Sequence, residues 1–203
     1  MSTMANPISA KMVADLRAKT GAGMMDCKKA LEEAGGDMAK AEDLLRVKYS
    51  ARAEKRADRS AAEGVIEVYR HFNGRVATMV ELNCETDFVA NTAEFQQLAK
   101  DLALHVASAR PIAVRVEDVP ADVVERERRV YAAQVAEEKK PDAVKAKIVE
   151  GKLRKFYEEH VLLEQPFVKD DKLKVADLVK ALSGKTGEKV EVRRFARFEL
   201  GGN

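Results

Sequence analysis

The sequence predicts an α+β protein, with helices at the N-terminus and a core in which helices flank a small antiparallel sheet. One observation is a pair of strand-like runs, residues 65–72 and 75–83, separated by Asn73-Gly74, a strong signal for a two-residue hairpin turn. Another is the alternation of "VEVRRFARF" at residues 190–198, which is typical of a returning strand with a partly buried face. The third is the helical period of most other segments.

Three short helices are predicted in the first 48 residues. Ser9 and Asp37 are candidate N-caps for the first and third helices, and the glycines of "TGAG" and "AGGD" separate the three. The second helix is predicted over residues 24–34. A unit of about 50 residues buries little core, and small bundles of this kind are usually binding modules without a cleft for chemistry.

The predicted domain division follows from composition. Residues 1–50 form the helical module, residues 51–63 a charged linker and residues 64–203 the α+β core. The linker is rich in alanine and charge. Acidic residues interrupt its basic ones, which favours a solvated helix over the alternative, a basic docking segment.

After the second predicted strand the chain passes through "CETDFV", residues 84–89, into a helix. Asn91 and Glu94 resemble a capping box at its start. An apolar stripe follows, at the spacing of a helix that faces a sheet. Its members are Phe95, Leu98, Leu102 and Val106.

The remaining segments complete the core. Residues 121–138 and 142–158 are predicted helices, split by Pro141. "VLLEQPFV" at residues 161–168 is an apolar extended segment. A helix predicted over residues 175–182 is followed by "GKTGEK", which is predicted to be a turn.

Composition excludes several classes of protein. The 203 residues are 34% charged, but the formal net charge is only +2, which argues against a protein held to nucleic acid mainly by counterion release. No apolar run approaches the roughly 18 residues of a membrane span, and the first residues lack the features of a signal peptide. Cys27 and Cys84 have no CxxC partner, so we expect buried reduced thiols in a cytoplasmic protein.

Enzyme motifs are missing from the sequence. The histidines, His71, His105 and His160, have no partner at metal or dyad spacing, and His105 is expected to be a satisfied histidine at a packing edge. "GKTGEK" contains Gly-Lys-Thr but lacks the upstream glycine of a phosphate-binding loop. The pattern therefore favours a binding protein with no catalytic residue, no bound metal and no cofactor.

Three stretches of the chain resemble the bacterial elongation factor Ts family. Its N-terminal module is similar to "LRAKTGAGMMDCKKALEEAGGDMAKAEDLLR" (residues 16–46), and its core to "ELNCETDFVANTAEFQQLAKDLALHVA" (residues 81–107). Its C-terminal part is similar to "EGKLRKFYEEHVLLEQPFVKDD" (residues 150–171). The resemblance covers nearly the whole chain in the right order. It implies a guanine-nucleotide exchange factor for elongation factor Tu, the GTPase that delivers aminoacyl-tRNA to the ribosome.

The resemblance implies that the N-terminal module has a three-helix fold similar to a ubiquitin-associated domain and binds the nucleotide-binding domain of elongation factor Tu. Carried over by position, Leu16, Arg17, Met24 and Met25 would make that contact. The alternative is that both methionines are core residues. Because consecutive residues of a helix cannot both point the same way, we expect at least one of them at the interface.

The resemblance also assigns a role to Thr86, Asp87, Phe88 and Val89, which match the family element associated with dislocating Mg²⁺ from elongation factor Tu. Thr86 would cap a short helix, and Asp87 and Phe88 would project from its first turn. The residue pattern alone favours core packing for Phe88, whereas the family match places it beside the partner's phosphate-binding region. Cys84 and Val89 are expected to stay in the core.

The chain resembles the short type of family member, which has one core subdomain where longer members have two with a coiled-coil hairpin between them. A lone copy would lack the second contact with elongation factor Tu. The resemblance therefore implies a homodimer bound to two copies of elongation factor Tu, with dimerisation in residues 64–203. "VLLEQPFV" and the C-terminal strand are candidate self-association surfaces.

Two other functions compete with nucleotide exchange. The helical module alone would suit a ubiquitin-like or peptide-binding adaptor, although that leaves residues 65–203 unexplained. The basic stretches "RAEKRADR" and "VRRFAR" would suit an RNA or ribosome binder, which requires strongly salt-dependent binding. Interleaved acids and the small net charge disfavour direct nucleic-acid binding.

Overall fold

A computed structural model describes residues 8–202 of the chain, and within them eight α-helices and five β-strands. The helices are α1 Ala10–Thr20, α2 Met24–Glu33, α3 Met38–Glu54, α4 Asp87–Ala90, α5 Ala93–Ala109, α6 Ala121–Ala136, α7 Asp142–His160 and α8 Val175–Thr186. The strands are β1 Glu63–Arg70, β2 Val76–Cys84, β3 Pro166–Phe167, β4 Asp170–Lys174 and β5 Glu191–Glu199. The predicted α+β class is confirmed.

The chain divides into two compact units, each assembled from separate stretches of sequence. The first contains residues 8–64 together with Asn83–Phe95 and Val179–Glu191. The second contains Val65–Leu82, Gln96–Leu178 and residues 192–202. These units are defined by contacts and do not test whether independently folding domains are separated at residues 50 and 63. That division stays a prediction.

The N-terminal helices begin at the predicted caps. The Ser9 hydroxyl accepts a hydrogen bond from the Met12 amide at 3.2 Å, and the Asp37 carboxylate accepts one from the Lys40 amide at 3.1 Å. Gly21 ends α1 in the left-handed region, with φ 64°. The three helices enclose one apolar cluster of Val13, Leu16, Ala22, Cys27, Ala30, Leu31, Ala41, Leu45 and Tyr49. Helix α3 runs on to Glu54, into the segment predicted as linker.

A carboxylate ties α2 to α3. Asp26 Oδ1 lies 2.8 Å from Lys48 Nζ, and Asp26 Oδ2 lies 2.8 Å from an Arg52 guanidinium nitrogen and 3.3 Å from the Tyr49 hydroxyl. Burial alone would raise the pKa of Asp26, but the hydrogen bonds and charges of Lys48 and Arg52 outweigh it and lower the pKa below 3.8. Asp26 is therefore held as a carboxylate.

The sheet is three-stranded and antiparallel, in the order β1-β2-β5. The predicted hairpin exists, but its loop is longer than two residues. The backbone hydrogen bond between the strands that lies nearest the loop joins the His71 amide to the Val76 carbonyl at 2.9 Å, which leaves four residues between them. Inside that loop the Gly74 amide bonds to the His71 carbonyl, and the Asn73 side chain accepts from the Arg75 amide. These two bonds stabilise a four-residue loop, so the prediction of a two-residue turn is wrong.

One face of β2 is buried, and the other is exposed at Met79. Thr78, Val80 and Leu82 have almost no exposed surface, whereas Met79 between them is exposed. The Thr78 hydroxyl donates to the Ala103 carbonyl of α5 at 2.8 Å, so α5 covers the buried face.

Helix α5 carries the predicted stripe, since Phe95, Leu98, Leu102 and Val106 are all buried. Its predicted capping box is wrong. Thr92 caps the helix with its hydroxyl, which accepts from the Phe95 amide at 3.3 Å, while the Asn91 side chain donates back to the Asp87 carbonyl. The helix begins one residue later than the box requires, because Asn91 still belongs to the end of α4.

Helices α6 and α7 pack against each other as a helical pair. Val135, Val149 and Leu153 form the buried seam, and Tyr131 and Tyr157 pack against it. Both helices follow prolines at their N-terminal boundaries, Pro120 and Pro141, as the sequence predicts for the second.

Most of the segment "VLLEQPFV" is packed inside the second unit, although Pro166 and Val168 are exposed. Val161, Leu162, Gln165 and Phe167 are buried. The Gln165 amide group donates to the carbonyls of Ala109 and Glu159 at 3.2 and 2.7 Å, and so joins the ends of α5 and α7. A role of this segment in self-association stays a prediction, and Pro166 and Val168 are the residues exposed enough to serve it.

His105 is fully buried and satisfied, as predicted, but it lies within the core. Its Nδ1 accepts a hydrogen bond from the Val168 amide at 3.2 Å, so the proton is on Nε2, which donates to Gln165 Oε1 at 3.0 Å. Burial lowers the pKa of His105 below 6.5, and the hydrogen bond with Gln165 offsets this only in part. His105 is therefore neutral.

Candidate functional site

The TDFV turn, residues 86–89, has the geometry that the family resemblance implies. The Thr86 hydroxyl caps α4 by accepting from the Val89 amide at 3.4 Å. Asp87 is exposed, and Phe88 is 83% exposed, which is unusual for the largest apolar side chain of the segment. Cys84 and Ala90 on either side are buried, and Val89 is half-buried. The turn therefore presents an acid and a phenyl ring to solvent from a buried base.

A distant carboxylate holds the start of this turn. Glu188 Oε2 accepts from the amides of Glu85 and Thr86 at 3.1 and 3.0 Å, and Glu188 Oε1 accepts from the Thr86 hydroxyl at 2.6 Å. In return, Glu85 Oε1 accepts from the Lys189 amide at 2.6 Å. The Lys189 hydrogen bond is the main reason why the pKa of Glu85 is lowered, and Arg59 adds to it.

The N-terminal candidate residues divide into two groups. Arg17 is exposed, and Met24 and Met25 in the first turn of α2 are 44% and 64% exposed. The alternative that both methionines are core residues is therefore wrong. Leu16 is 0% exposed and packs in the cluster of the three helices. Its side chain supports the module from inside and has no surface to offer a partner.

A surface recess in the first unit brings two of these residues together. Its lining consists of Ala14, Arg17, Ala18, Gly21, Met24, Glu94 and Lys185. Lys185 forms an ion pair with Glu94 and lies over Gly21, where a Cβ would collide with its ammonium group. The recess thus joins α1, the start of α2, α5 and α8.

The two cysteines are buried, and the described residues form no metal-binding cluster. Cys27 and Cys84 are free and buried, and burial is the main cause that raises the pKa of both thiols, that of Cys84 to about 11. Among residues 8–202 no cluster of three His, Cys, Asp or Glu side chains could hold a metal ion. None of the described helices is long and apolar enough to cross a membrane.

Sequence reasoning missed the residues that support the site. The "GKTGEK" segment is only partly a turn, because Gly184, Lys185 and Thr186 form the last turn of α8 and the left-handed residue, Gly187, follows with φ 80°. Glu188 reaches Thr86 across a separation of about 100 residues in the chain. No local pattern in the sequence predicts that contact.

The chain matches known proteins over almost its full length. The family model described as "Elongation factor TS" matches residues 4–202. A protein of Anaeromyxobacter sp. (strain Fw109-5) named "Elongation factor Ts" is 55% identical over 96% of this chain and 89% of its own length. Those of Thermotoga maritima and Desulforamulus reducens, of the same name, are each 54% identical over 96% of this chain, covering 96% and 89% of their own lengths. The chain belongs to the elongation factor Ts family.

Proposed function

We propose that this protein is a guanine-nucleotide exchange factor for elongation factor Tu. In the proposed reaction it binds elongation factor Tu with GDP, displaces Mg²⁺ and promotes release of GDP, so that GTP can rebind during translation in the cytoplasm. No covalent bond is made or broken. The observation that carries this proposal is the outward presentation of Phe88 beside Asp87 on a capped turn.

The TDFV turn acts as a wedge in this proposal. Phe88 enters the partner's phosphate-binding region and displaces the Mg²⁺ and backbone amides that hold the phosphates. Transfer of one phenylalanine from water into a pocket is worth about 1.5–3 kcal/mol, and a factor of ten in affinity corresponds to about 1.4 kcal/mol. One side chain therefore cannot reverse tight nucleotide binding. Lost Mg²⁺ coordination and a second contact surface must supply the rest.

The second surface is the exposed set Arg17, Met24 and Met25 on the helical module. Methionine side chains adapt to an apolar partner surface, and the guanidinium can pair with a carboxylate. Leu16 is not part of this set because its side chain is buried.

Coupling between two ligands of one protein is reciprocal. The factor by which this protein weakens the binding of GDP to elongation factor Tu therefore equals the factor by which GDP weakens the binding of this protein to elongation factor Tu.

We also propose that the protein works as a homodimer that binds two copies of elongation factor Tu. The chain spans nearly the whole length of its Thermotoga maritima relative, which supports the short, single-subdomain type. The hydrogen bond between His71 and Val76 pairs Val68 with Met79, so their exposed side chains share the face of the sheet that α5 leaves open. Exposed Ile66 extends this apolar face, which a second copy would cover.

Release of a fluorescent GDP analogue from elongation factor Tu tests the proposal. The wild-type chain, added below the concentration of elongation factor Tu, is expected to accelerate release of all bound nucleotide. Phe88→Ala and Asp87→Ala are expected to slow release by about tenfold or more with unchanged circular dichroism. Phe72→Ala is the matched control, because it removes an equally exposed phenyl ring from the hairpin loop. Normal exchange by both turn variants would rule out the wedge.

A further inference from the structure

The TDFV turn is too short to hold its own shape. Helix α4 has four residues. A single helical turn bears the full entropic cost of nucleation but forms few hydrogen bonds to offset it. A wedge has to be rigid, because any freedom of Phe88 in the unbound protein must be lost on binding. The turn therefore needs a support from outside its own sequence.

Glu188 provides that support with three hydrogen bonds. Its two carboxylate oxygens accept from the Glu85 amide, the Thr86 amide and the Thr86 hydroxyl, at 3.1, 3.0 and 2.6 Å. Hydrogen bonds to a charged acceptor are stronger than neutral ones. The Thr86 hydroxyl that donates to Glu188 also accepts a hydrogen bond from the Val89 amide. Glu188 therefore orients the hydroxyl that caps α4.

Glu188 is itself held in place. Its carbonyl accepts from the Ser183 hydroxyl at 2.6 Å, and the Gly187 amide beside it bonds to the Ser183 carbonyl at 3.0 Å. The next residue, Lys189, donates its amide to Glu85. The two chain segments thus exchange hydrogen bonds in both directions.

The end of α8 also contacts the helical module. The backbone of Gly184 lies against Tyr49, and Lys185 lies over Gly21 while it pairs with Glu94. All these residues belong to the first unit. The last turn of α8 therefore contacts the surface that presents Met24, through Gly184 and Lys185. Glu188, four residues after Gly184, contacts the turn that carries Phe88.

We propose that Glu188 is a positioning residue for nucleotide exchange: it fixes the TDFV turn on the end of α8, so that Asp87 and Phe88 are presented in the orientation that the partner's nucleotide site requires. This inference rests on the proposed function. It assigns no contact between Glu188 and the partner or the nucleotide. The effect of Glu188 passes entirely through the turn.

The test is a titration of GDP release against exchange-factor concentration, which gives a maximal rate and a half-saturating concentration. Glu188→Ala is expected to lower the maximal rate by about tenfold, because charge-assisted hydrogen bonds are lost at the turn. The half-saturating concentration is expected to stay within about threefold of wild type, because Arg17, Met24 and Met25 are untouched. A purely structural role would instead leave the maximal rate of the folded fraction unchanged.

Two further variants sharpen the result. Glu188→Gln retains an oxygen that can accept from both amides, and is expected to recover most of the maximal rate. Thr86→Val keeps the shape of the side chain but removes the hydroxyl, and is expected to lower the maximal rate. It tests the same contact even if the Glu188→Ala variant fails to fold. Glu164→Ala, which removes a carboxylate paired with Lys174 in the second unit, is the matched control.

The decisive comparison is the double variant Glu188→Ala with Phe88→Ala. If Glu188 acts through the wedge, the double variant is no slower than Phe88→Ala alone, because there is no ring left to position. Additive losses would overturn the inference, as would a normal maximal rate in both Glu188→Ala and Thr86→Val. Those outcomes leave the proposed function standing as long as wild type accelerates release. Failure of the wild type to do so would overturn the proposed function itself.

Discussion

Gly184 in the last turn of α8 lies directly against Tyr49 of α3: a Cβ placed on the glycine would lie 2.5 Å from the Tyr49 Cβ and 2.7 Å from its carbonyl oxygen. Gly184→Ala is therefore expected to destabilise the protein by about 1–3 kcal/mol, since neither backbone nor Cβ can move aside cheaply. Urea unfolding measures the change.

Gly151 in α7 provides the opposite case for the same substitution. No atom lies within 4 Å of the position where its Cβ would be, and it is exposed. Gly151→Ala is expected to stabilise the protein by about 0.5–1 kcal/mol through helix propensity alone. If both alanine variants change stability in the same direction, the close packing of Gly184 on Tyr49 is not the determining factor.

Asp26 is expected to contribute to stability at neutral pH through its bonds to Lys48 and Arg52. Asp26→Asn should cost about 1–2 kcal/mol at pH 7, allowing for the partial exposure of both cations. Because the pKa of Asp26 is lowered on folding, its contribution is present above pH 3.8 and is lost as the pH falls below that value. Urea unfolding at pH 7 and pH 3 should show the wild type approaching the variant. Asp43→Asn, which removes an exposed pair with Arg46, should change stability by only a few tenths of a kcal/mol.

His105 is expected to make the second unit sensitive to mild acid. Burial lowers the pKa of its ring in the folded state. Near and below pH 6.5 the unfolded chain therefore binds more protons than the folded one, and the free energy of unfolding decreases as the pH is lowered. The slope from one such group is at most about 1.4 kcal/mol per pH unit. His105→Gln lowers stability at every pH, but its stability should fall less between pH 7.5 and 5.5. Equal slopes for wild type and variant, measured by chemical unfolding, would contradict this assignment.

The open face of the sheet is expected to be the dimer surface. Val68→Glu places a charge there and should convert a dimer at micromolar concentration into a monomer, because each copy loses an apolar contact and buries a carboxylate. Sedimentation velocity measures the change. Val47→Glu on α3 is the matched control, since Val47 is at least as exposed as Val68 and lies in the helical module. A monomeric wild type, or a dimer unaffected by Val68→Glu, would exclude this surface.

Local features of the fold were predictable because short-range chemistry decides them. Ser9 and Asp37 cap helices as predicted, since a hydroxyl or carboxylate three residues before a free amide needs no distant partner. The hairpin lies where Asn73-Gly74 predicts it, although its loop has four residues, within which the Asn73 side chain accepts from the Arg75 amide. The outward position of Phe88 followed from the family resemblance, because an apolar residue in a first turn otherwise favours the core.

Features that depend on distant partners were not predictable from the sequence. "VLLEQPFV" has the composition of an apolar interaction surface, and only the hydrogen bonds of Gln165 and His105 reveal that most of it lies inside the second unit. Leu16 falls within a family contact motif, yet the packing of three helices buries it.

The sequence by itself determined the α+β class, the family and the identity of the residues presented on the TDFV turn, because the class follows from periodicity and the other two from motifs shared with the family. Only the tertiary structure decided what supports that turn. The bonds from Glu188 to Thr86 and the close approach of Gly184 to Tyr49 join residues more than 100 positions apart. Such contacts arise from how helices and strands pack, and no periodicity along the chain encodes them.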